Sequence, residues 1–193
     1  MSLAQRQALL NIARWTLETF LDDGSEASYR LRDPELEKLA AAFVTLNRKE
    51  ELRGCVGYSD PLYPLHQTIS RCARSAASED YRFQPVKRGE LSELRITISV
   101  LSSLERVDNL ENIVVGRDGL LVVESERRGL LLPQVAPEQG WDRESFLDGV
   151  CRKAGLPETA WRTGRVKIFA FLTDNFSEGE TEVAVGMEAV TKT

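Results

Sequence analysis

The residues of this chain best suited to chemistry lie in the hexapeptide Leu52-Arg53-Gly54-Cys55-Val56-Gly57. In an extended strand, Arg53 and Cys55 point to one side while Leu52 and Val56 point to the other. A guanidinium beside a thiol stabilises the thiolate, which makes Cys55 a candidate nucleophile or redox thiol and Arg53 its activator. A helix that turned its N-terminus back toward Cys55 would push in the same direction through its amide donors. Gly54 and Gly57 weaken a strand and mark close approach of a ligand or of another backbone. A plainer reading stays open, in which Cys55 fills space, Arg53 pairs at the surface and the glycines punctuate turns.

Other candidates follow in the chain. His66, the sole histidine, stands eleven residues beyond Cys55 and would complete a nucleophile–base pair, or else sit half-buried on a backbone partner. Asp80 and Arg82 either cap and pair, or Arg82 offers a fork for a carboxylate or phosphate. Arg53, Arg82 and Arg95 gathered on one face would form an anion site. Thr97 and Ser99 would add hydrogen bonds if their strand runs beside the hexapeptide. Cys55, Cys72 and Cys151 are three cysteines without a CxxC spacing, so reduced thiols are expected and no metal site is. There is no phosphate-binding GxxxxGK[ST] loop, no GxGxxG and no GxSxG, and no cofactor is predicted.

These residues need elements to hold them. Apolar residues at helical spacing predict a helix over 4–22, ended by Asp22-Asp23-Gly24-Ser25. Pro34–Leu39 reads as a helical turn or more. Strands are expected at 43–46 and 52–57 across an Asn47–Glu50 turn. A helix follows over about 64–79, burying Leu65, Ile69, Cys72, Ala73, Ala76 and Ala77 and turning Arg71, Arg74, Ser75 and Ser78 to solvent. Residues 95–101 alternate as a half-buried strand, 120–123 read as a strand covered on both faces, and 129–133 continue after a polar turn. Asp142 is the expected N-cap of a third helix that Gly155 stops. A last strand spans 166–172. Residues 177–193 are polar, with an edge strand at Glu182–Val185 and a loose tail. Trp15, Trp141 and Trp161 are expected as core or interface anchors.

Composition bounds the rest. The chain has 193 residues, 25 basic against 30 acidic, and a net charge of −5. That balance disfavours nonspecific nucleic-acid binding, which depends on clustered Lys and Arg. At 42% apolar and 28% charged residues the chain is globular rather than disordered. No apolar run reaches the ~18–20 residues of a membrane span, and the N-terminus lacks a secretory core, so a cytoplasmic protein is expected.

Six stretches in order carry a resemblance: Phe43–Leu46, Leu52–Gly57, Asp80-Tyr81-Arg82-Phe83-Gln84-Pro85-Val86, Ile98–Ser102, Gly129-Leu130-Leu131-Leu132-Pro133-Gln134-Val135 and Cys151–Leu156. Together they resemble the AMMECR domain family over roughly residues 5–176. The resemblance implies an α+β fold of two subdomains around a barrel-like mixed β-sheet flanked by helices, built on two structural repeats. Residues 1–176 would form one domain of interleaved subdomains, with the hexapeptide at a groove between them. Prokaryotic members resemble protein A of the AmmeMemoRadiSam system, which implies a radical-SAM protein and a Memo-type protein as partners. No activity comes with the family. Two departures stand out: Tyr81 and Gln84 replace prolines usual in that loop, and Pro34–Ala42 is rich in helix formers. Three functions therefore remain open. One is a small-ligand or partner-binding domain with its cleft at Leu52–Gly57. Another is an enzyme using Cys55 on a small anionic or electrophilic substrate. A weaker third is an accessory factor for RNA modification.

Overall fold

Ser2 and Gln5 start the first helix by capping each other, side chain to backbone in both directions, which satisfies two otherwise orphaned amides. The helix, α1 (Leu3–Asp23), stops at Gly24, whose φ of +80° suits glycine. The computed structural model describes residues 1–179 and the backbone of 190–192. It falls into two units, residues 1–100 with the chain from Asp174 onward, and Leu101–Thr173.

In the first unit, β2 (Ala42–Arg48) and β3 (Glu51–Tyr58) form a hairpin. With β4 (Leu94–Leu101) and β9 (Thr173–Ser177) they make a four-stranded antiparallel sheet of order β3-β2-β4-β9. Short β1 (Tyr29–Leu31) pairs separately with β10 (Val190–Lys192). Ala42, Val44, Leu46, Ile96 and Ile98 bury one face of the sheet against Leu9, Ile12 and Leu17 of α1 and Ile69, Cys72 and Ala73 of α2 (Leu65–Ser78). Small residues on α2 let it lie close, and a Cβ at Gly54 would stand 2.1 Å from the Ala76 carbonyl oxygen. Only glycine fits there.

The second unit repeats that device with its own core. β5 (Glu105–Arg106), β6 (Gly119–Glu124), β7 (Arg127–Leu131) and β8 (Lys167–Phe171) form an antiparallel sheet of order β5-β8-β6-β7. Between β7 and β8 lie the short α3 (Val135–Glu138) and α4 (Arg143–Lys153), the latter begun by Asp142 accepting the Ser145 amide. Leu120, Val122, Phe146, Leu147, Val150 and Ile168 fill this core. Gly129 lies against α4, where a Cβ would stand 2.4 Å from the Ala154 nitrogen.

The α+β expectation holds, with helices beside sheet as the resemblance implied. The barrel-like mixed sheet does not: among the described residues the strands form two four-stranded antiparallel sheets and the β1-β10 pair, and no closed barrel. Pro34–Glu37 is one tight 3₁₀ turn capped by Asp33, because the residues after it return to extended backbone. β9 was not foreseen, its polar composition hiding a strand whose Phe176 enters the core. The expected edge strand at Glu182–Val185 lies outside the described residues. Among those described, no helix is long and apolar enough to cross a membrane.

Candidate functional site

A one-residue irregularity sets the site. Asn47 pairs with Leu52, but Leu46 pairs with Gly54, so Arg53 is the extra residue of a bulge in β3. Strict alternation fails at that point, and Leu52 rather than Arg53 stands opposite Asn47. Beyond the bulge, Thr45 faces Cys55 and Phe43 faces Gly57. The Thr45 hydroxyl donates to Cys55 Sγ at 3.1 Å, and Cys55 remains partly exposed.

Asp80 anchors the backbone beneath this thiol. Its buried carboxylate accepts the Cys55 amide at 2.8 Å and a fork from Arg82, Nε at 2.9 Å and Nη2 at 2.7 Å. It also accepts the Arg82 amide, and Arg82 Nη2 reaches on to the Cys55 carbonyl oxygen. The Arg82 hydrogen bonds outweigh burial and hold the Asp80 carboxyl down to about 2.

Arg53 is committed elsewhere. It forks onto Glu90 at 2.9 and 3.0 Å and donates to the carbonyl oxygens of Gln84 and Pro85. Hydrogen bonds from Arg53 hold the Glu90 carboxyl down to about 2. Arg53 thus grips the loop that carries Gln84 in place of a proline. Gly57, like Gly54, gives its space to the protein itself, since a Cβ would meet the Phe43 ring at 2.2 Å. The partner of Cys55 Sγ is Thr45, whereas His66 Nδ1 hydrogen-bonds the Tyr29 hydroxyl at 3.0 Å. Burial pulls the His66 pKa down.

The strand of Thr97 and Ser99 does not run beside the hexapeptide, because β2 lies between β3 and β4; the two residues reach the Cys55 face of the sheet only across β2, through the pairings Thr45–Thr97 and Phe43–Ser99. Thr97 shares a hydrogen bond of 2.8 Å with Ser177, and Ser99 donates to the Asn175 side chain. Thiol and hydroxyls therefore run as one row across four strands: Cys55, Thr45, Thr97, Ser177. Arg95 lies near the start of its strand and donates to the Glu178 carbonyl, while Arg53 pairs with Glu90 and Arg82 with Asp80. Sequence reasoning missed Thr45, Glu90, Asn175 and Ser177. The hairpin register would have flagged Thr45, but only with the bulge in place.

Burial pushes the Cys72 thiol up to about 12 and also raises Cys151; neither cysteine is exposed. All three cysteines are free. Among the described residues no cluster of His, Cys, Asp and Glu could hold a metal ion.

The AMMECR1 family model matches residues 10–176. The chain belongs to the AMMECR1 family. A protein of Thermofilum pendens is 38% identical over 195 residues, covering 92% of each chain. A protein of Pyrococcus horikoshii is 40% identical over 181 residues, covering 88% of each. The crystal structure of an uncharacterised protein from Pyrococcus horikoshii superposes with a TM-score of 0.84 at 40% identity, over 89% of this chain and 90% of that one. This AMMECR1-family chain thus shares its fold with a solved relative. In it, Tyr81 is 95% exposed beside the Asp80–Arg82 pair.

Proposed function

We propose that the Cys55 face of the first unit is a binding surface for a small ligand or a segment of a partner protein. The observation that carries this reading is the Asp80 carboxylate, which locks the Cys55 backbone and Arg82 around a partly exposed thiol. Recognition sites need side chains whose geometry is fixed before the ligand arrives. The hydroxyls of Thr45 and Thr97 supply neutral hydrogen bonds, with Ser99 behind them. Arg53 and Arg82 act as positioning residues, because Glu90 and Asp80 already meet their charges. That pairing supports recognition by thiol and hydroxyls ahead of an anion clamp. The family resemblance makes a radical-SAM protein and a Memo-type protein the partners to try.

Enzymatic use of Cys55 on an electrophile is the second reading. Thr45 supports it, being placed to donate to the sulfur through a nucleophilic attack. Among the described residues the sulfur's hydrogen-bond partner is the Thr45 hydroxyl, which is not a base.

Amide shifts in two-dimensional NMR spectra test the proposal. Small neutral and acidic compounds, and the purified Memo-type and radical-SAM proteins, are each added to the full chain. Binding should move the amides of Gly54–Gly57 and Thr97–Ser99, and Cys55→Trp should abolish the response. Shifts that ignore Cys55→Trp, or none with any addition, overturn it.

A further inference from the structure

A second cleft opens in the first unit, on the outer face of α2. Its volume is about 660 Å³, and α1, the 25–29 segment and Tyr58 complete its walls. Arg71 and Arg74 line it three residues apart on α2, and each guanidinium lies over an aromatic ring of this chain. Arg71 sits 4.4 Å from the Tyr63 ring centroid and Arg74 4.9 Å from that of Phe20. Stacking orients a guanidinium and leaves its N–H edge for oxyanions. Among the described residues neither guanidinium has a carboxylate partner or a hydrogen bond, in contrast to the forks Arg53 makes with Glu90 and Arg82 with Asp80.

The rest of the lining narrows the ligand. Apart from Phe20 and Ala27, every described wall residue carries a polar group, which suits neither a lipid nor an aromatic drug-like molecule. Ser70, Gln67 and His66 bring neutral hydrogen-bonding groups. Glu26 and Glu79 offer acceptors, and Glu79 already takes the Ser75 hydroxyl at 2.7 Å. Two cations and two carboxylates in one cleft fit a ligand with one oxyanion and several hydroxyls. The volume falls within the range of roughly 300–1,000 Å³ typical of small-molecule sites.

We propose that this cleft binds a small polyhydroxylated oxyanion, with Arg71 and Arg74 on its phosphate or carboxylate and the acidic walls on its hydroxyls. The site is separate from the Cys55 face, and Cys55 is not among its walls. Calorimetric titration of the full chain tests it with ribose 5-phosphate, gluconate and ribose as probes. At least one charged probe should bind while ribose does not. Ribose 5-phosphate binding the tighter assigns the oxyanion to phosphate, and gluconate the tighter assigns it to carboxylate. The double variant Arg71→Gln/Arg74→Gln should weaken binding at least about tenfold with an unchanged circular dichroism spectrum. Arg162→Gln removes a guanidinium that also lies over a ring, that of Trp161, outside the cleft. That variant should bind like the parent. The proposal is overturned if neither charged probe binds up to roughly 10 mM. Equal binding of ribose, or affinity untouched in the double variant, overturns it as well.

Discussion

Cys55, Cys72 and Cys151 share a side chain but not an environment, and their chemistry should separate accordingly. Only Cys55 is partly exposed; the other two are fully buried, with Cys72 held up to about 12. Brief treatment of the native protein with iodoacetamide should therefore label Cys55 well ahead of both, as read by peptide mass spectrometry. Labelling of Cys151 at the same rate would mean that its helix opens readily. Substitution should show the same contrast. Cys55→Ser should leave Tm within about 3 °C, since little packing is lost. Cys72→Ser puts a hydroxyl into an apolar core beside Ile69 and Ala73 and should cost about 1–3 kcal/mol in urea unfolding.

At the scale of elements, each unit closes a helix onto an edge strand through one glycine, Gly54 beneath α2 and Gly129 beneath α4. A methyl at either position meets helix backbone, 2.1 Å from the Ala76 oxygen or 2.4 Å from the Ala154 nitrogen, and backbone cannot rotate aside. Gly54→Ala and Gly129→Ala should each destabilise by at least about 1–3 kcal/mol. Gly89→Ala, with nothing within 4 Å of the added carbon, should stay within about 0.5 kcal/mol. The Arg53–Glu90 fork belongs to this scale too, because it ties β3 to the 84–90 segment. Arg53→Gln should raise hydrogen exchange in that segment by about tenfold or more while α1 stays protected. Uniformly faster exchange would instead mean global destabilisation.

Across the whole molecule, carboxylates with depressed pKa values set the response to acid. Asp80 and Glu90 drop to about 2 from ordinary values of 3.8 and 4.5, held by Arg82 and Arg53. Burial would raise Asp118 in the second unit, but Arg117 and the Val114 amide prevail and lower it. A carboxylate depressed in the folded state stabilises above its unfolded pKa, and that stability is lost as pH falls toward the folded value. Tm should accordingly be flat in these groups above about pH 5 and decline from there toward pH 2. Asp80→Asn should lower Tm at neutral pH and flatten the acid decline. A variant with the parent's slope would show that the Asp80–Arg82 pair contributes nothing to the linkage. Arg14 acts over a similar reach, joining Glu178 to the Leu91 and Leu94 carbonyls from α1.

The sequence by itself determined the elements whose causes are local. Apolar spacing marked α1, α2 and α4, Asp142 announced a cap, and alternation marked β4, because period and capping depend on neighbours along the chain. The hexapeptide and the stretches around it also sufficed to indicate the family. What the tertiary structure decided was pairing. Arg53 turned to Glu90 because a bulge broke the alternation that would have aligned it with Cys55. His66 joined Tyr29, thirty-seven residues earlier, and Asp80 reached back to the Cys55 amide. Arg71 and Arg74 read as an ordinary solvated face until α1 and the 25–29 segment enclosed them. A charged side chain's partner is fixed by which strands and loops meet, and that information is not carried by residue type or spacing along one segment.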